Sequence, residues 1–170
     1  MSGFTKVALL LASLALSACS NTGVFGGDDT LGGSTTEANY ELGSVDDPNS
    51  VAHFQSVVGD RVLFTVDQSD LTEEGKQILL SQANWLLANT AFTAVIEGHA
   101  DEQGTREYNL ALGARRASAV KEFIVSRGVA GSRLRTVSYG KERPLEVCSA
   151  EACYAQNRRA VTVLQADLSG

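Results

Sequence analysis

The chain has 170 residues, 44% of them hydrophobic and 20% charged, which gives room for one domain with tails and not for two. Fourteen Lys and Arg stand against 20 Asp and Glu, a formal net charge of −6. That balance, with no Lys/Arg-rich run, argues against nucleic acid or anionic lipid as the main partner.

In chain order, "MSGFTKVALLLASLALSAC" comes first. A short segment with Lys6 precedes an apolar stretch from Val7 to Leu16, and small residues then lead to Cys19. About ten apolar residues are too few to span a bilayer, so residues 1–18 read as a signal peptide. "LSAC" resembles the lipobox of bacterial lipoproteins, in which the signal is cut before the cysteine and the cysteine is acylated. The alternative is an ordinary signal cut elsewhere, with Cys19 an incidental thiol. Lipidation removes the odd member of the three cysteines. Acyl chains at roughly 0.8 kcal/mol per buried methylene would hold such a protein to a membrane. Ser20, rather than Asp, after the cysteine resembles an outer-membrane address.

Residues 19–46 are rich in Gly, Ser, Thr and Asn, and their apolar residues show no period. They read as a flexible tether, with an r.m.s. span on the order of 30 Å. Order is expected over residues 47–170. Asp47 with Pro48 reads as a helix start and Gly59 as its stop. "RVLFTV" has strand composition. Thr72 caps a helix over "EEGKQILLSQANWLLAN", with Ile78, Leu79, Ala83, Trp85 and Leu86 as its apolar stripe. "TAVIEG" reads as a central strand. A long helix follows over "REYNLALGARRASAVKEFIVSR" and ends at Gly128, with Leu110, Ala114, Ala117, Val120 and Ile124 at helical spacing. "RLRTVSYG" and "RRAVTVLQA" are the last two strands. The pattern is a helix and then βαβαββ. It predicts an α+β fold, two main helices on one face of a mixed four-stranded sheet.

Several chemistries compete for the polar residues. Glu97, His99 and Asp101 alternate along a strand, with Glu102 adjacent, and three such ligands would suit zinc. The HExxH spacing and a cysteine cluster are both missing. No Gly-x-Ser-x-Gly elbow occurs, and Asp101 and Glu102 are adjacent rather than facing, as a two-carboxylate glycosidase would need. Cys148 and Cys153 sit five apart, and in an oxidising periplasm they read as a small-loop disulfide. No cofactor is called for. On the long helix, Asn109, Gly113 and Arg116 share a narrow sector beside the apolar stripe. Gly113 there permits close approach by a ligand or a backbone. Asp101 and Arg116 facing each other across a gap would complement a zwitterion. A direct Asp101–Arg116 ion pair fits the same spacing. Spacing leaves the two readings level.

"EGHADEQGTREYNLALGARRA", with "VSYGKERPL" and "NRRAVTVL", resembles the OmpA-like domain of the peptidoglycan-associated lipoproteins, the Pal family of the Tol–Pal system. The resemblance runs from about Gly59 to Ala166. It implies a noncatalytic module that binds the diaminopimelate of peptidoglycan stems. Asp101 would be the acidic contact and Arg116 the cationic one. Thr105, Asn109 and Leu112 match the family's pocket region, and Phe64 and Asp67 match the first strand and turn. Many relatives carry Asp where this chain has Thr65. Asn157 and Arg158 fall at the pocket rim. TolB and TolA are the protein partners the resemblance implies, and the outer membrane and cell division the setting. A wall hydrolase, or an adaptor of the Tol system that binds protein only, is the competing class.

Overall fold

The computed structural model describes residues 43–166. The expected signal peptide, Cys19 and most of the expected tether lie outside these residues. The first helix does not start at Asp47. Ser50 is its cap, its hydroxyl accepting from the His53 N–H at 3.0 Å. The Asp47 carboxylate instead accepts from the Asn49 N–H at 2.9 Å, a local turn that short acidic side chains favour. Helix α1 spans Val51–His53 and passes into a π-helical turn, Phe54–Gly59.

Strand β1 spans Arg61–Leu63, half the length its composition suggests. Phe64 adds one more bond, N–H to the Arg158 carbonyl at 2.8 Å. The chain then turns at Val66 and Asp67, and Asp67 takes a left-handed φ of 58°. Helix α2 spans Glu73–Ala88 under the Thr72 cap, whose hydroxyl accepts from the Gly75 N–H at 3.0 Å. Strand β2 spans Phe92–His99, helix α3 Arg106–Ser126, strand β3 Leu134–Gly140, helix α4 Glu151–Asn157 and strand β4 Arg159–Ala166. The sheet order is β1-β4-β2-β3. β4 runs antiparallel to both β1 and β2, while β3 runs parallel to β2. This is the expected mixed sheet of an α+β fold.

The core lies between the sheet and the two long helices. Leu79, Ala83 and Leu86 of α2 meet Ala117, Val120 and Ile124 of α3 over Ala94 and Ile96 of β2. Trp85 closes its edge between Phe54 and Phe92, with ring centroids 5.0 and 5.2 Å away. Gln82 is buried but satisfied, donating to the Gly59 carbonyl at 2.6 Å and accepting from the Thr162 hydroxyl at 2.8 Å.

Two further expectations need correction. Leu110 and Ala114 do not belong to the buried face of α3; both are exposed. That face is Asn109, Leu112, Gly113, Arg116, Ala117, Val120 and Ile124. Its first half is polar because neighbouring loops, not apolar side chains, cover it there. The segment before β4, expected as a stapled loop, contains helix α4. That helix has only seven residues and no side-chain cap, so it leaves little periodic signal.

Candidate functional site

Two turns and one helix end meet beyond the carboxyl end of β2. They enclose a cleft of about 220 Å³. Val66 and Asp67 line it from the β1–α2 turn, and Asp101, Gln103 and Gly104 from the β2–α3 turn. Tyr108, Asn109 and Leu112 complete it from the start of α3.

The position of α3 follows from two glycines. A Cβ on Gly98 would stand 1.8 Å from the Gly113 carbonyl oxygen. A Cβ on Gly113 would stand 2.8 Å from the Gly98 oxygen and 2.4 Å from the Ser138 hydroxyl. Of the two close approaches that Gly113 permits, the structure uses the backbone one. Helix and strand touch there, and the N-terminal turns of α3 are pressed against the end of β2.

Asp101 is nearly buried, and its carboxylate accepts from the Gln103 N–H at 3.2 Å and from Arg158 Nη1 at 3.1 Å. Asp67, on the opposite wall, accepts from the Tyr108 hydroxyl. Asn109 is buried and donates to the Gln103 carbonyl at 2.7 Å, which fixes the turn between the two walls. The cleft therefore presents two carboxylates over an apolar floor at Leu112.

Arg116 is fully buried. Its Nε donates to the Gln68 carbonyl at 2.8 Å, Nη1 to that of His99 at 2.8 Å and Nη2 to that of Thr65 at 3.1 Å. Its guanidinium carbon lies 5.1 Å from the Phe64 ring centroid. One side chain thus ties together the two turns that carry Asp67 and Asp101. Burial lowers its pKa to about 10, against the opposing pull of Asp101 and Asp67, so it remains a cation at neutral pH. No direct Asp101–Arg116 pair forms; Arg158 is the partner of Asp101.

Thr105 stands apart from the cleft wall. Its hydroxyl caps α3, accepting from the Tyr108 N–H at 3.2 Å. Thr65 contributes its carbonyl to Arg116, and Phe64 packs beneath the guanidinium. A disulfide joins Cys148 to Cys153, which lies in the first turn of α4. The sequence reading missed Val66, Gln103, Gly104 and Tyr108 as lining residues. Gln103 and Gly104 were findable as the strand-to-helix turn at the carboxyl end of a strand, where clefts form in α/β units. Tyr108 and Val66 meet only through tertiary structure. His99 Nε2 lies 3.6 Å from the Glu97 carboxylate, and the pairing of β2 with β3 shifts register between Gly98 and His99. Among the described residues, no three His, Cys, Asp or Glu come together in a way that could hold a metal ion.

The OmpA family model matches residues 63–158. A peptidoglycan-associated lipoprotein of Mesorhizobium japonicum is 55% identical over 117 residues, 69% of this chain and 70% of that one. One from Agrobacterium fabrum is 47% identical over 161 residues, 93% of this chain and 85% of that one. The crystal structure of the peptidoglycan-associated lipoprotein from Burkholderia pseudomallei superimposes with a TM-score of 0.63 at 37% identity, over 71% of this chain and 98% of that one.

Proposed function

The chain belongs to the OmpA family and to its peptidoglycan-associated lipoproteins, and from this we propose that it binds the cell wall noncovalently through the cleft beyond β2. The ligand is the zwitterionic end of meso-diaminopimelate in the peptide stem. Its ammonium lies against Asp101, with Asp67 opposite. Its carboxylate lies toward Arg116, which has engaged three of its five N–H donors with carbonyls and keeps two. The observation that carries this reading is the pair of carboxylates, Asp101 and Asp67, presented to the cleft by two turns that buried Arg116 joins. In this reading the module is a noncatalytic grip.

In the same proposal residues 1–18 are a lipoprotein signal peptide and Cys19 is the acylated anchor in the outer membrane. Residues 19–46 tether the domain of residues 47–170, which reaches the wall from the periplasm. Partnership with TolB and TolA, and a part in envelope constriction at division, follow from the family resemblance.

Sedimentation with purified sacculi tests the site. Wild-type protein should co-sediment, and free meso-diaminopimelate should release it. Asp101→Asn keeps the size of the side chain but removes the charge that faces the ammonium. It should weaken retention about tenfold or more, in line with the loss of one partner of a buried charge pair. Arg116→Lys should weaken it as well, because an ammonium cannot reproduce the planar fork. Undiminished retention of both variants would sink the site. Release of soluble wall fragments by the wild type would favour a hydrolase instead.

A further inference from the structure

The connection between β3 and β4 grips the acidic turn of the cleft from outside. Arg158, directly after α4, is 5% exposed. It donates to the Asp101 carboxylate at 3.1 Å and to the Phe64 carbonyl at 3.3 Å. Its remaining amino group pairs with Glu151, the first residue of α4. Tyr154, on the same helix, sets its hydroxyl against Glu102. Lys141, where the connection begins, donates to the carbonyls of Glu102 at 3.2 Å and Gly104 at 2.7 Å.

Two staples hold this connection in shape. Buried Asn157 accepts from the N–H groups of Leu145 at 2.7 Å and Glu146 at 3.0 Å, and donates to the Glu146 carbonyl at 2.8 Å. The disulfide joins Cys148 to Cys153 across the start of α4. Between them Val147 is 85% exposed, and α4 begins without a side-chain cap. A helix of seven residues is not stable alone. The hydrophobic core is built from other parts of the chain.

We infer that Arg158 is a positioning residue for Asp101, and that the Cys148–Cys153 disulfide, acting through α4, sets the affinity of the cleft. The inference rests on the cleft being the wall-binding site. With the bond closed, α4 holds Glu151 against Arg158, and Arg158 holds the Asp101 carboxylate. A dithiol reductant breaks the S–S bond by giving two electrons and two protons. Both cysteines become thiols and the reductant becomes its own cyclic disulfide. α4 then frays, Arg158 loses Glu151, and Asp101 loses one of its two fixed donors.

Calorimetric titration of meso-diaminopimelate into the full-length protein in detergent tests this. The oxidised wild type should bind. After dithiothreitol, and in Cys148→Ser/Cys153→Ser, Kd should rise about tenfold, the effect of losing an outer partner that orients a ligand-contacting group. Arg158→Gln should weaken binding similarly, and Arg158→Lys should recover part of it. Adding the two serine substitutions to Arg158→Gln should cost nothing more, because both act on one chain of contacts. Equal affinity with the bond open and closed overturns the inference, as does full additivity. So does melting of the reduced protein below the assay temperature, which would make the bond a support of the fold itself. An oxidised wild type with no affinity overturns the assignment of the cleft together with this inference.

Discussion

His99 and Arg116 show how single residues here serve opposite electrostatic ends. Arg116 is a cation kept in the interior because three carbonyls solvate it. His99 is buried with its ring 5.5 Å from that of Tyr139 and 3.6 Å from the Glu97 carboxylate. Burial, and then Arg159 and Arg143, lower its pKa to about 4. A histidine depressed in the folded state binds fewer protons there than in the unfolded chain. Its contribution to stability is therefore present above about pH 6.5 and is lost as pH falls toward 4. We expect about 2–3 kcal/mol to disappear over that range. Denaturant melts at pH 7.0 and 4.5 should show the loss, and His99→Gln should flatten it; an unchanged pH slope in the variant would rule this source out. For Arg116, truncation to Ala leaves the carbonyls of Thr65, Gln68 and His99 without their donors. A loss of about 3–5 kcal/mol is expected, which is why the lysine variant is the better probe of binding.

At the scale of elements, α3 does the most to build the cleft, and its polar face is the reason. Thr105 starts it, Asn109 fixes the turn before it, and Gly113 sets its distance from β2. Gly113→Ala should destabilise the domain by roughly 2–3 kcal/mol, because its Cβ meets backbone of β2 that cannot swing aside. A thermal melt indistinguishable from wild type would mean that helix and strand separate more easily than their contact implies. Thr105→Ala should cost about 1 kcal/mol through the lost cap alone, with wall binding kept once temperature is lowered to restore folding. The Thr72 cap of α2 was legible because a hydroxyl three residues before its target N–H is a local pattern; Thr105, read as a pocket residue, caps α3 in the same way. The length of β1 was not. Its composition continues to Val66, but Arg116 takes the Thr65 and Gln68 carbonyls from 48 residues and more away and turns the chain.

For the whole molecule, the proposed anchor, tether and grip would divide the work. In that proposal one stem bound reversibly is enough when many linked copies engage one sacculus. Cys19→Ser should leave the domain folded and able to bind sacculi while moving it from the membrane fraction to the soluble periplasm. A variant still found with outer membranes after the wall is digested would refute the lipid anchor.

The sequence by itself determined the class of fold, the places of the long helices and strands, and the motifs that mark the family, since all of these rest on local periodicity, caps and spacing. It also named Asp101 and Arg116, but left open whether they pair. Only the tertiary structure decided that. The partner of Asp101 is Arg158, 57 residues on, and the partners of Arg116 are carbonyls of two turns that the sheet brings together. Which donor meets which acceptor in a buried site depends on where distant backbone ends up, and no local pattern carries that information.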